Sequence, residues 1–204
     1  MTNDILETIT EDYFRELGYF TQHNIPYKPK GIDVHSDIDV LAVDPKTSEV
    51  AVISCKSWQV NITEMLATLS SNPNKVIRGG TYTKRFREIA DINSSLAIKE
   101  KIFELTGKNI FTFYLVVGSY KGDREEFENF SLFKENLPNC KIELITFKDI
   151  IEYFLAKEKT TTPSHSELYR IIQLMKASGG DVIYKEGVLQ TSSKRYDASL
   201  LINS

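Results

Sequence analysis

The residues best suited to chemistry lie in the segment SDIDVLAVDPKTSEVAVISCKSWQ, residues 36 to 59. Asp37, Asp39 and Lys56 place two carboxylates and an ammonium group in runs that predict packed β-strands. Carboxylate oxygens bind hard divalent cations, and a lysine beside them can orient a water molecule or stabilise an anion. The same groups can instead form a cross-strand ion pair worth about 0.2 to 1 kcal/mol. The segment therefore allows a charged reaction site or a structural ion pair.

Two predicted strands position these side chains. DIDVLAVD and EVAVISCKSW are rich in β-branched residues, and the turn residues 45 to 48 separate them, which predicts an antiparallel hairpin. Side chains alternate along a strand, so every second residue shares a face. If the two faces coincide, Asp39 lies near Ser54 and Lys56. The predicted faces carry Asp37, Asp39, Leu41 and Val43 on one strand and Val50, Val52, Ser54 and Lys56 on the other.

An amphipathic helix precedes the hairpin. Apolar residues recur every four positions from Ile5 to Leu17, and Gly18 follows as a stop signal. Glu7 lies at the edge of the apolar stripe of this helix. Two interpretations remain open for it: the reciprocal partner of an N-cap at Asp4, or a third carboxylate for the hairpin site.

This arrangement resembles the PD-(D/E)xK motif of the restriction-endonuclease-like superfamily, which combines a Glu on a first helix, an Asp on one strand and an acid-x-Lys on the next. The matching residues are Glu7, Asp39 and Ser54-Cys55-Lys56, and Ser57-Trp58-Gln59 resembles the tail of ECKSW variants. The resemblance spans residues 4 to 60, with a compatible order of elements to about residue 157. It implies an α/β fold with a restriction-endonuclease-like core, in which helices flank a central mixed β-sheet.

The resemblance also implies a function, that of a metal-dependent endonuclease hydrolysing DNA phosphodiester bonds in restriction or repair, with Mg²⁺ or Mn²⁺ as cofactor. Such a metal ion neutralises charge on the phosphate and generates hydroxide at neutral pH. Asp39 suits the ligand role, and Glu7 would complete the metal shell through a water molecule. Lys56 would orient or deprotonate the attacking water, or stabilise the phosphate oxyanion.

Ser54 departs from the superfamily motif, because it stands where the acid before the lysine is expected. A hydroxyl is a poor substitute for a carboxylate, although it can hydrogen-bond a metal-bound water. Some restriction enzymes of the superfamily carry Ser-x-Lys and recruit a glutamate from the next helix. Here the corresponding metal-ligand candidate is Glu64, which also fits a capping pair with Asn61. Asp37 is a second candidate and is also typical of a solvated loop residue.

Two other functions remain open beside the nuclease. The loss of a carboxylate at Ser54 allows a catalytically impaired nuclease-fold protein that binds nucleic acid or acts as a scaffold. An unrelated α/β protein with accidental motifs is the third hypothesis.

A basic segment supplies the best candidate nucleic-acid surface. KVIRGGTYTKRFR, residues 75 to 87, contains no acid, and its glycines let a backbone approach closely. A solvated helix start is the alternative interpretation. Trp58 is interpreted as a packing residue in preference to a base-stacking platform. The predicted nucleic-acid-binding residues are Lys75, Arg78, Lys84, Arg85 and Arg87.

Composition and charge narrow the class of protein. The 204 residues are 41% hydrophobic, and no run approaches the roughly 20 apolar residues of a membrane span. The net charge of −3 gives no global positive field, so DNA binding would depend on a local patch or bound cations. The N-terminus lacks the features of a secretory signal, and we expect a cytoplasmic protein. Cys55 and Cys140 are predicted to be buried free thiols.

The predicted order of elements is α-β-β-β-α-α-β-α-β-α, followed by a linker at Thr160–Pro163. We expect a nuclease-like domain over residues 1–159 and a small C-terminal helical extension over 160–204. A capping box of Ser164 and Glu167 predicts a helix to about Ala177. The extension is expected to pack on the core or on a second subunit, and a homodimer fits the resemblance because many superfamily members are dimers.

Overall fold

The computed structural model describes residues 4–31, 36–77, 80–157, 166–177, 181–185 and 188–192. It shows an α/β fold in which helices flank a five-stranded mixed sheet. The chain divides into two units, Met1–Phe147 and Lys148–Ser204. The boundary expected at residue 159 lies outside the described residues.

The elements follow one another in an order that agrees with the predicted one, with short additions. α1 (Ile5–Glu16), β1 (Phe20–Tyr27), β2 (Ser36–Val43), β3 (Val50–Asn61) and α2 (Ile62–Ser71) come first. The short strands β4 (Val76–Ile77) and β5 (Gly80–Thr81) and the helices α3 (Tyr82–Arg85), α4 (Arg87–Ala90) and α5 (Ile92–Thr106) lead to β6 (Thr112–Lys121). Next come α6 (Arg124–Glu128), α7 (Ser131–Asn136), β7 (Lys141–Thr146), α8 (Phe147–Ala156), α9 (Glu167–Ala177), β8 (Asp181–Lys185) and β9 (Val188–Ser192).

The main sheet has the strand order β1-β2-β3-β6-β7. β1, β2 and β3 pair antiparallel, which confirms the predicted hairpin, whereas β3, β6 and β7 pair parallel. Parallel neighbours need long crossovers, and the helices between β3 and β6 and between β6 and β7 provide them. The apolar strand β6 is interior, as its nearly continuous hydrophobic run predicts.

Apolar side chains cover both faces of this sheet. On one face a large buried cluster joins the strands to α2, α4 and α5, and it includes Val52, Leu115, Met65, Ile89 and Ile98. On the other face α1 packs on the strands, with the rings of Phe14 and Tyr114 meeting edge to face at 5.2 Å. Both cysteines are free and buried, as predicted.

Side-chain caps set where the helices begin. Asp4 Oδ1 accepts a hydrogen bond from the Leu6 amide at 2.8 Å and starts α1. The helical pattern after Lys84 is divided into α3, α4 and α5. Phe86 separates α3 from α4. Asp91 is extended and separates α4 from α5, and its carboxylate caps the first turn of α5 by accepting from the Ser94 amide at 2.9 Å. These two breaks leave α4 as a single helical turn.

The second unit has its own local contacts. Ser166 Oγ accepts a hydrogen bond from the Tyr169 amide at 3.2 Å and caps α9, whereas the predicted cap Ser164 lies outside the described residues. The rings of Phe154 and Tyr169 stack with centroids 5.5 Å apart. β8 and β9 pair antiparallel in a separate two-stranded sheet. Among the helices that the structure describes, none has the length and hydrophobicity needed to cross a membrane.

Candidate active site

The register of the β2–β3 hairpin brings Asp39 and Ser54 together. Leu41 pairs with Val52 and Val40 with Ile53, and the same register continued by one residue places Asp39 opposite Ser54. Asp39 Oδ2 also accepts a hydrogen bond from the Cys55 amide at 2.6 Å. The two faces of the hairpin therefore coincide in the way that strand alternation predicts.

Lys56 lies over this pair and is largely shielded from solvent. Its Nζ donates to Ser54 Oγ at 2.9 Å and lies 4.0 Å from Asp39 Oδ2. The Lys56 side chain is 12% exposed and that of Asp39 is 20% exposed. Solvent screens a buried pair much less than a surface pair, so the carboxylate and the ammonium interact strongly.

A further acid, Glu88, completes the cluster from α4. Its Oε1 accepts a hydrogen bond from Ser54 Oγ at 3.3 Å and lies 3.5 Å from Lys56 Nζ. The Glu88 side chain is 14% exposed. The superfamily motif has an acid where this chain has Ser54. The Glu88 carboxylate lies next to that serine in the structure.

The backbone of α4 is held in place on both sides of this acid. Ser95 Oγ donates to the Glu88 carbonyl at 2.9 Å, and Asn136 Nδ2 donates to the Ile89 carbonyl at 2.8 Å. Ile89 and Phe86 are each 1% exposed. A single helical turn would not hold its position alone, so these buried contacts fix Glu88 against the sheet.

Sequence reasoning missed Glu88 and chose other acids. Glu64 instead forms the capping pair with Asn61, accepting from Asn61 Nδ2 at 3.3 Å and donating its amide to Asn61 Oδ1 at 3.3 Å. Asp37 is exposed and lies opposite Pro26 on the neighbouring strand. The missed signal was an acid one residue beyond the basic segment and directly before the apolar pair Ile89-Ala90. The structure therefore favours Glu88 over Glu64 and Asp37 as the acid beside Ser54.

Glu7 is electrostatically linked to the same cluster. It is half-buried in the first turn of α1, and burial raises its pKa, with the Asp39 carboxylate adding to the shift and the Lys56 ammonium opposing it. A hydrogen bond from the Asp4 backbone also acts on the Glu7 carboxylate. The structure is therefore compatible with both interpretations of Glu7. The hydrogen bond to Asp4 fits a capping partner, and the effect of Asp39 on the pKa of Glu7 fits a third carboxylate near the hairpin site.

The charged groups of the cluster shift one another's pKa values. Burial raises the pKa of Asp39, and Glu88 adds to that shift, while Lys56 and the Cys55 amide oppose it. Burial alone would lower the pKa of Lys56, but the Glu88 and Asp39 carboxylates outweigh burial and raise it. Lys56 therefore carries a full positive charge at neutral pH.

The predicted nucleic-acid-binding residues have different environments. Lys75 and Lys84 are exposed. Arg87 is half-buried, and its guanidinium donates to Ser36 Oγ at 3.1 Å and to the Lys84 carbonyl at 3.2 Å, which attaches α4 to β2. Arg85 lies over the ring of Trp58, with 4.8 Å between its guanidinium carbon and the ring centroid. Arg78 lies outside the described residues.

The donor set can be compared with what a metal ion needs. Over the described part of the chain, no group of three or more His, Cys, Asp or Glu residues is arranged to hold an ion. Mg²⁺ usually takes one or two protein carboxylates and fills its shell with water and substrate phosphate. Asp39 and Glu88 place two carboxylates within 4.0 Å of Lys56 Nζ at this point of the sheet.

Comparisons with known proteins add little to this geometry. No protein-family model and no curated protein matches the chain. Among solved structures, the chain is similar to one described as "Crystal Structure of Protein of Unknown Function AF1548", at 13% sequence identity and a TM-score of 0.32. The match covers 87% of this chain and 66% of that one, slightly less than two thirds.

Proposed function

We propose that this protein is a metal-dependent nuclease with a restriction-endonuclease-like core, and that it hydrolyses phosphodiester bonds of DNA. The observation that carries the proposal is the convergence of Asp39, Ser54-x-Lys56 and Glu88 at one point of the sheet. The order of elements and the mixed sheet are compatible with that core. No single motif residue would support the proposal alone.

Asp39 and Glu88 are the residues that would hold Mg²⁺ or Mn²⁺, and the Asp39 carboxylate is near enough to Glu7 to raise the pKa of Glu7. When bound, such an ion supplies charge neutralisation at the phosphate and lowers the pKa of a bound water. Asp39 belongs to β2, Glu88 to α4 and Glu7 to α1. The packing of these three elements, and not a local loop, therefore positions the acids.

Lys56 acts as a cation in this proposal. The Glu88 and Asp39 carboxylates raise the pKa of Lys56, so it keeps its proton at neutral pH in the metal-free protein. An ammonium group in a largely buried site stabilises the negative charge that develops on a phosphate in the transition state. Among the roles that the resemblance implies for Lys56, oxyanion stabilisation and water orientation therefore fit best.

Ser54 positions the charged groups of the site. Its hydroxyl is buried, receives a hydrogen bond from Lys56 Nζ and donates to Glu88 Oε1. It thus connects the cation to the acid that compensates for the serine in the motif. The serine thus removes the carboxylate that the motif has at this position, and Glu88 supplies a carboxylate next to it.

A nucleic-acid-binding module without catalysis is the second candidate. Lys56 already pairs with Asp39 and Glu88 and offsets one of their two negative charges, which is an arrangement expected of a buried structural ion pair. In that case neutralising either acid would change stability and leave DNA binding in place.

Cleavage of supercoiled plasmid and of single-stranded DNA tests the proposal. We expect Mg²⁺- or Mn²⁺-dependent cutting that is lost in Asp39→Asn and Glu88→Gln and kept in Glu64→Gln, the matched control on α2. DNA retention without cutting by the wild type would favour the binding module. Cutting that survives both Asp39→Asn and Glu88→Gln would reject the assigned site.

A further inference from the structure

Trp58 is an exposed aromatic residue that carries a cation on its ring. It is 41% exposed, and the Arg85 guanidinium lies over the indole at 4.8 Å. A cation above an indole face is a favourable contact. This environment does not fit packing in the core, whereas it agrees with edge packing against Arg85, the other packing role expected from the sequence.

The pairing of β3 with β6 shifts its register at Trp58, as in a β-bulge. Lys56 pairs with Val117 and Gln59 pairs with Ser119, so two residues of β3, Ser57 and Trp58, face the single residue Gly118 of β6. A Cβ atom on Gly118 would lie 3.1 Å from the Ser57 carbonyl oxygen, which shows how closely the bulge approaches β6. Bulges of this kind turn a side chain in a new direction and are frequent next to active sites.

Both members of the pair belong to the segments that carry the candidate site. Trp58 follows Lys56 by two residues, and Arg85 precedes Glu88 by three residues. The same close approach of α3 and α4 to β3 thus sets the Trp58–Arg85 contact and the Lys56–Glu88 contact. Exposed Lys84, adjacent to Arg85, adds positive charge for a phosphate backbone.

We infer that the Trp58–Arg85 pair is a stacking platform for an unpaired nucleobase, and that the substrate of the proposed nuclease is single-stranded or contains unpaired nucleotides near the cut. Indole rings and guanidinium planes both stack on bases, and they do so with little sequence preference. In an intact duplex the base faces are covered by their neighbours, so the platform has nothing to bind there. The inference rests on the proposed function and specifies its substrate.

The intrinsic fluorescence of the protein provides a direct test, because Trp58 is the one tryptophan of the chain. Phosphorothioate oligonucleotides resist cleavage and can be titrated in Mg²⁺ with tryptophan excited selectively. We expect a short single-stranded oligonucleotide to quench Trp58 and a blunt duplex of the same length to leave its emission unchanged. Separate DNA and RNA strands distinguish the two sources of an unpaired base.

Substitutions give the second readout, the affinity for a labelled strand measured by anisotropy. We expect Trp58→Ala to weaken single-strand binding by about 5- to 150-fold, because one stacked base contributes this much to affinity. Trp58→Phe keeps an aromatic face and should retain most of the affinity. Phe103→Ala is the matched control, since it removes a 53% exposed ring from α5, which carries no site residue.

Two outcomes would overturn the inference: equal quenching by the duplex, or an unchanged single-strand affinity in Trp58→Ala. Plasmid cutting by the wild type without any quenching would reject the platform and leave the nuclease intact. Quenching by single strands without metal-dependent cutting would reject the nuclease and leave the base-stacking surface.

Discussion

Glu88 Oε1 lies 3.5 Å from Lys56 Nζ, although the two residues are 32 positions apart and belong to different elements. Asp39 Oδ2 lies 4.0 Å from the same nitrogen, so one ammonium group is shared by two largely buried carboxylates. The hairpin alone would leave a simple Asp–Lys ion pair. Glu88 on α4 adds a second carboxylate to that pair.

Lys56 is predicted to act through its charge and not as a base. Lys56→Arg preserves a cation that cannot be deprotonated, whereas Lys56→Met removes the charge. We expect Lys56→Met to lower the cleavage rate by about 100- to 1,000-fold and Lys56→Arg to retain a measurable part of the activity. Single-turnover cleavage of a labelled strand provides the measurement. Equal inactivity of two folded variants would point to a proton-transfer role for Lys56.

Asp39 is predicted to reduce stability as it ionises. Its pKa is raised in the folded protein, so its contribution is most favourable when it is protonated and is lost as the pH rises from about 4 through the folded pKa. Asp39→Asn stays neutral and escapes this loss. We expect the free energy of unfolding of Asp39→Asn, relative to wild type, to increase over that pH interval in urea titrations. A difference that is constant with pH, or that decreases, would contradict the raised pKa.

The basic residues are predicted to separate into a DNA-binding class and a structural class. Lys84 is exposed, so Lys84→Ala should weaken DNA binding, reduce the salt dependence by about one counterion and leave the melting temperature unchanged. Arg87 is bonded to Ser36, so Arg87→Ala should lower thermal stability. Binding titrations at several salt concentrations, with melting curves of both variants, check the distinction. Identical behaviour of the two variants would contradict it.

The hairpin part of the site could be predicted from the sequence because its geometry is local. The alternation of side chains and the short turn determine which residues of β2 and β3 share a face, and this places Asp39, Ser54 and Lys56 together. Glu88 could not be found in the same way. Its position depends on buried contacts of α4 with distant residues such as Asn136, and no spacing along the chain encodes them.

The environment of Trp58 could not be predicted from a sequence pattern either. Regular alternation assumes an uninterrupted strand, and the bulge opposite Gly118 breaks that rule immediately after Lys56. Glu64 was a plausible acid because it follows Lys56 in the next helix, yet its position in the first turn commits it to Asn61. Glu64 is therefore part of a helix cap, although its spacing from Lys56 made it a candidate metal ligand.

The most direct test of the central claim, that Asp39 and Glu88 form a divalent-cation site beside Lys56, is calorimetric titration of the protein with Mn²⁺ without nucleic acid. We expect one site in the wild type, an affinity reduced by at least about 10-fold in Asp39→Asn and in Glu88→Gln, and an unchanged affinity in Glu64→Gln. Wild-type affinity in both Asp39→Asn and Glu88→Gln, or loss of binding in Glu64→Gln alone, would contradict the account.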